Sequence, residues 1–299
     1  MHNPFVFREE RLRAVEITYR YEAREVPPKP RPADADAARA RLEAGNRSFA
    51  ALLEGMATDD RLARRVIPVD AHDLGLLPSD PARPPQRPFA GILGCSDARV
   101  PVELIFNEGP NDLFVVRVAG NELGSDVLGS LRYAVEHLGA DLKLLVVLGH
   151  SGCGAISAAV DAFLEPIKYL EVESSFPLRS ILDRPMIAIQ FAAQALSRAF
   201  GAAVSKRPGY RQALIEVSVL TNAAFAAYTL QRNLVHLGAS GIRAVYAVYL
   251  LETREVWAPH GDETASSRLA DPPNDVAGLI ALAGAAVAST RVARLLAPA

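Results

Sequence analysis

Residues 144–154 read LLVVLGHSGCG, an apolar run that passes through a glycine-rich turn carrying His150, Ser151 and Cys153. A second run, FAGILG at 89–94, ends in Cys95-Ser96-Asp97-Ala98-Arg99. Short β-branched runs that lead through such turns into helical stretches predict parallel strands with helices on the sheet faces. In sheets of that kind, functional groups gather beyond the carboxyl ends of the strands, where both motifs fall.

Further runs extend the pattern: LFVVRV at 113–118 before a helical stretch at 123–138, and IRAVYAVYLL at 242–251 after a long helical stretch from about residue 211 to 237. The fold class predicted is α/β, a central mainly parallel sheet flanked by helices, with an N-terminal helical arm and an extra C-terminal helix. Pro27-Pro28-Lys29-Pro30-Arg31-Pro32 predicts a stiff extended linker, because proline removes donors and restricts its predecessor. The stretch at 33–55 predicts an amphipathic helix with a break or bend near Gly45. Three parts follow: an extension with its linker at 1–34, a main domain at 35–270, and a C-terminal helix at 271–299.

The two cysteines and His150 make three of the four ligands that tetrahedral zinc prefers, leaving a position for water or for Asp97. Duller alternatives stand beside this. Buried cysteine often behaves as a small hydrophobe, but both of these follow strands among Ser, Gly, Asp and Arg, surroundings that favour thiolates. Gly149-His150-Ser151 opens like the nucleophile elbow G-x-S-x-G, yet Cys153 stands where the second glycine belongs. No G-x-G-x-x-G follows a predicted strand, which argues against a dinucleotide fold. Asp97 and Arg99, two residues apart on a turn, can pair, the arginine holding the aspartate ionised; an isolated pair of this kind is a structural ion pair, but here it adjoins Cys95. His2, His72, His137, His236 and His260 have no motif around them and read as surface or packing residues.

Composition narrows the partners. With 32 basic and 34 acidic residues the net charge is −2, which gives no ground for nucleic-acid binding. Two cysteines in 299 residues are not a disulfide framework, so a reduced pair in a cytoplasmic protein is expected. The first residues carry charges throughout and show no export signal. The most apolar run, 276–288, falls short of the roughly 18 residues a membrane span needs, so no span is expected.

ARARLEAGNRSF at 38–49, GILGCSDARVPVELIF at 91–106, DLFVVRVAGNE at 112–122 and SLRYAVEHLGADLKLLVVLGHSGCGA at 130–155, with Asn222 more weakly, resemble the β-class carbonic anhydrases over roughly residues 36–250. The resemblance implies zinc held by Cys95, His150 and Cys153, the Asp97–Arg99 dyad beside it, and reversible hydration of carbon dioxide to bicarbonate and a proton. It implies a substrate contact from Gln86, and a homodimer or dimer of dimers. Ile92, where a subgroup has tryptophan, leans toward a constitutively open site. Zinc lowers the pKa of the water it holds toward about 7, the magnitude known for the three-histidine enzyme; two thiolates weaken that effect, so activity should rise into alkaline pH. The alternatives are hydrolysis of carbon disulfide or carbonyl sulfide on the same fold, and a zinc protein without turnover. The first 35 residues, 58–84, 163–208 and the late LETREVW depart from the family pattern.

Overall fold

Ala90–Gly94 and Leu144–His150 are buried along their whole length, as strands covered on both faces must be. A computed structural model describes residues 15–22, 30–58, 63–77, 83–171, 176–259 and 268–297, with only the backbone for 53–58. In chain order the strands are β1 Val15–Glu22, β2 Ala63–Asp70, β3 Ala90–Gly94, β4 Leu113–Arg117, β5 Leu144–His150, β6 Arg243–Tyr249 and β7 Val256–Trp257. The helices are α1 Ala35–Thr58, α2 Val102–Ile105, α3 Ser125–Leu138, α4 Gly154–Leu164, α5 Pro166–Glu171, α6 Phe176–Asp183, α7 Met186–Phe200, α8 Tyr210–His236, α9 Val276–Ala288 and α10 Thr290–Leu295.

The main sheet has the order β4-β3-β5-β6-β7, parallel except for the short antiparallel β7. The predicted fold class is the one observed. Side chains alternate between faces with the period of two that a pleat imposes. Ile92, Leu144, Val146, Leu148, Val245 and Ala247 join Leu42 of α1 and Ile105 of α2 in one buried cluster. Leu93, Leu145, Val147, Ala244 and Tyr246 face the other, shared with α3, α4, α7, α8 and α9.

Capping explains several helix starts. Asp34 accepts the Ala37 N–H at 2.8 Å ahead of α1, Asp275 accepts from Gly278 at 2.7 Å for α9, and Ser289 caps α10 through Val292. α8 is long and apolar enough to cross a membrane by length and composition, yet 78% of its most apolar window is buried inside the protein. The C-terminal α9 sends Leu279, Ala283, Ala286 and Val287 into the same cluster as α8.

Two expectations change. α1 runs through Gly45 without a break: a β-carbon there would lie 1.9 Å from the Phe106 carbonyl oxygen, so the glycine permits close packing. The N-terminal extension, expected to be a helical arm with a proline-rich linker, holds a strand among its described residues: β1 pairs in parallel with β2, apart from the main sheet. Pro27, Pro28 and Lys29 lie outside the described residues.

Candidate metal centre

β3 and β5 are neighbours with Gly94 opposite Leu148, so the turns that follow them leave the sheet at the same edge. Cys95 follows β3, His150 ends β5, and Cys153 is the residue before α4. Gly152, at φ +64°, makes the left-handed bend that returns the chain toward the cluster, a conformation that a β-carbon disfavours. The three residues are buried, and one ligand atom from each lies within 4.8 Å of the others.

The sulfurs are 4.0 Å apart. Two thiolates bound tetrahedrally at about 2.3 Å would sit roughly 3.8 Å apart, so the spacing suits zinc. His150 Nδ1 lies 3.0 Å from the Ser151 carbonyl oxygen; donation there places the ring proton on Nδ1 and leaves Nε2 as the lone-pair atom. That Nε2 is buried without a hydrogen-bond partner among the described residues. A buried acceptor with no donor is costly, and a metal ion would satisfy it. The donor set and the orphaned nitrogen both fit zinc.

Either sulfur can donate a hydrogen bond to the other. The Cys153 thiol's hydrogen bond, helped by the Gly120 N–H, lowers the Cys95 thiol from its ordinary value, while its bond to Cys95 and burial push the Cys153 thiol up. One thiolate therefore forms readily, and a cation is needed to hold both.

Asp97 lies beside the cluster, its Oδ2 3.8 Å from His150 Nε2, too far for a hydrogen bond. Arg99 donates from Nε to Oδ1 at 3.0 Å, from Nη2 to Oδ2 at 2.7 Å, and from its backbone N–H to Oδ1 at 2.9 Å. These bonds hold the carboxyl well below the usual carboxylate range. Arg117, the last residue of β4, donates to the Cys95 carbonyl oxygen at 2.9 Å and also to that of Asp97.

Gln86 is not brought to this cluster. It is exposed in the loop before β3, beside Arg87, whose guanidinium reaches Asp141 ahead of β5. That is the amino edge of the sheet, separated from Cys95 by the length of β3, about 16 Å for five residues. Of the other histidines, His72 bonds Asp70 at 2.8 Å, His137 stacks on Tyr133 and His236 ends α8. His2 and His260 lie outside the described residues.

Several participants carry no motif of their own. Asn222 of α8 donates to the Gly120 carbonyl oxygen at 3.1 Å and to Glu122 Oε1 at 3.3 Å. Burial pushes the Glu122 carboxyl up to about 8. Ser151 bonds Glu252, far along the chain. Arg117 and Glu122 lie in a stretch that carries the resemblance, as Asn222 does more weakly; Glu252 needed the fold.

Residues 90–206 match the sequence model of the carbonic anhydrase family. Among curated relatives, a carbonic anhydrase of Mycolicibacterium smegmatis is 46% identical over 99 residues, 33% of this chain and 45% of that protein. Carbonic anhydrase 2 of Mycobacterium tuberculosis is 53% identical over 77 residues, 26% and 36% of the two chains. The chain thus spans less than half the length of these relatives. Of solved structures, the β-carbonic anhydrase CcaA aligns at 24% identity with a TM-score of 0.48, over 62% of this chain and 85% of that one. Cys95, Asp97, Arg99, His150 and Cys153 all lie inside the stretch that matches the carbonic anhydrase family model, the stretch whose motifs carry the resemblance.

Proposed function

We propose that this protein is a zinc-dependent carbonic anhydrase of the β class, converting carbon dioxide and water reversibly to bicarbonate and a proton. The observation that carries the proposal is the convergence of Cys95, His150 and Cys153 within 4.8 Å, with an ionised Asp97 beside His150, inside the family-matching segment.

Cys95, His150 and Cys153 would hold the ion. Zinc bound there would supply Lewis-acid activation of water near neutral pH. Asp97 faces the cluster with its carboxylate fixed by Arg99 and acts as an acceptor, orienting the proton of the attacking oxygen so that its lone pair points at carbon dioxide. Arg99 keeps Asp97 anionic, and Arg117 fixes the backbone of both Cys95 and Asp97. Because Gln86 stands at the opposite sheet edge, it touches substrate only where a second copy brings its own amino edge to the cluster.

A homodimer or dimer of dimers belongs to this proposal. It is supported by the edge strand β4, whose apolar Leu113, Phe114, Val115 and Val116 are only half-buried. A cytoplasmic setting belongs to it as well, supported by two buried cysteines that are not joined in a disulfide. Stopped-flow carbon dioxide hydration on zinc-loaded protein at pH 7 and 8.5 tests the activity, with turnover greater at the higher pH expected. Absence of turnover at both, with zinc stoichiometric, would overturn it. Light scattering that shows a monomer at micromolar concentration would overturn the assembly.

A further inference from the structure

The turn that carries two of the three candidate ligands is linked to α10 through side chains. Between His150 and Cys153 stand Ser151 and Gly152, so Ser151 supplies the one side chain between the two candidate ligands, while Arg99 Nη2 reaches the Gly152 carbonyl oxygen at 3.4 Å. It is buried, and every polar atom it has is used. Its N–H donates to the Tyr249 carbonyl oxygen at 2.9 Å, and its own carbonyl oxygen accepts from His150 Nδ1 at 3.0 Å. Its hydroxyl accepts the Leu251 N–H at 2.9 Å and donates to Glu252 Oε2 at 2.9 Å. The other oxygen of Glu252 accepts from Arg291 Nη2 at 3.1 Å, and Arg291 Nε donates to Glu216 Oε2 at 2.8 Å. Arg291 lies on α10 and Glu216 on α8.

We propose that Ser151, Glu252 and Arg291 are positioning residues for the metal centre, and that α10 clamps the ligand turn through them. The inference rests on reading Cys95, His150 and Cys153 as zinc ligands. Its physical basis is the direction of constraint. The Ser151 carbonyl fixes the tautomer and rotation of the His150 ring, and that carbonyl is aimed only as well as the residue is anchored. A hydroxyl on Glu252 anchors it. The Glu252 side chain is 57% exposed, and Arg291 holds it against competition from water. Groups that orient a metal-ligating histidine typically change metal affinity by about 10–100-fold when lost.

The test uses the full zinc-loaded chain and reads zinc release to a chromogenic chelator, zinc affinity by competition, and the urea midpoint. The variants are Ser151→Ala, Glu252→Ala, Arg291→Ala and Arg291→Lys. Arg207→Ala serves as control: its Nη1 donates to the Leu296 carbonyl oxygen at 3.1 Å, so it ties down α10 without joining the relay. Zinc affinity about tenfold weaker in the three alanine relay variants, a smaller loss in Arg291→Lys and none in Arg207→Ala is the expected result. Affinity within about twofold of the parent in all relay variants would overturn the proposal, as would an equal loss in Arg207→Ala, which would reduce the effect to helix docking. Should Arg291→Ala fail to fold, Ser151→Ala and Glu252→Ala decide the matter. A parent chain that binds no zinc overturns both this inference and the proposed activity; one that binds zinc without hydrating carbon dioxide overturns the activity alone.

Discussion

Arg99 grips Asp97 at both carboxylate oxygens while Asp97 remains 3.8 Å from His150 Nε2. The aspartate is thus held by the arginine and makes no hydrogen bond to the histidine. Asp97→Ala is expected to keep zinc and to lower the hydration rate constant by on the order of 10²–10⁴, the usual range for a lost proton acceptor. Arg99→Ala should act in the same direction by releasing Asp97. Stopped-flow kinetics beside metal analysis checks both, and full activity with bound zinc in Asp97→Ala would remove its assigned role.

Cys153→Ala should abolish zinc binding and turnover together. Two remaining ligands cannot fix the geometry, and the loss strips the Cys95 thiol of its main hydrogen-bond partner. Metal content by mass spectrometry after dialysis gives the answer; near-stoichiometric zinc in the variant would contradict the ligand assignment.

Glu122 predicts a pH signature in stability. Its carboxyl is raised from 4.5 to about 8 by burial, so between those values the folded protein holds a proton that the unfolded chain has lost. Stability from this group is therefore fully present below the unfolded value and declines as pH rises toward 8. Glu122→Gln does not titrate, so its stability relative to the parent should grow with pH, by about 1.4 kcal/mol per unit at most across that window. Urea denaturation at pH 5, 6.5 and 8 measures the slope; a constant difference would show that Glu122 is ionised in the folded state.

Gly45→Ala should destabilise the fold by about 1–3 kcal/mol, because a methyl group at 1.9 Å from the Phe106 carbonyl oxygen forces α1 away from the segment after α2. Thermal or urea unfolding checks this. An unchanged midpoint would mean that α1 shifts at no cost.

What could be read in advance follows from how local each signal is. β3 and β5 were legible because buried parallel strands appear as continuous apolar runs, and the grouping of Cys95, His150 and Cys153 because each stands at a glycine-rich turn after one of those runs. β1 was missed although Val15, Ile17, Tyr19 and Tyr21 alternate with polar residues, since its partner β2 holds Pro68 and lies beyond a 24-residue helix. Gly45 was misread as a bend because composition does not distinguish a flexible glycine from one that admits a neighbouring carbonyl. Gln86 came only from the resemblance, which says nothing of which sheet edge a residue occupies. The Ser151–Glu252–Arg291 relay joins three distant stretches and becomes visible only once β5, β6 and α10 are in place.

Cys95 and Cys153 are 58 positions apart in the chain, yet they end up beyond two strands that touch in the middle of the sheet. An ion held by both would work as a cross-link in the contour of the polypeptide, closing a loop that the unfolded chain would otherwise be free to open. By analogy with a disulfide of that span, the constraint on the unfolded ensemble is on the order of 4 kcal/mol. Selection on the ion would then act on folding as well as on turnover, so that a descendant with no catalytic activity could still be obliged to keep its metal.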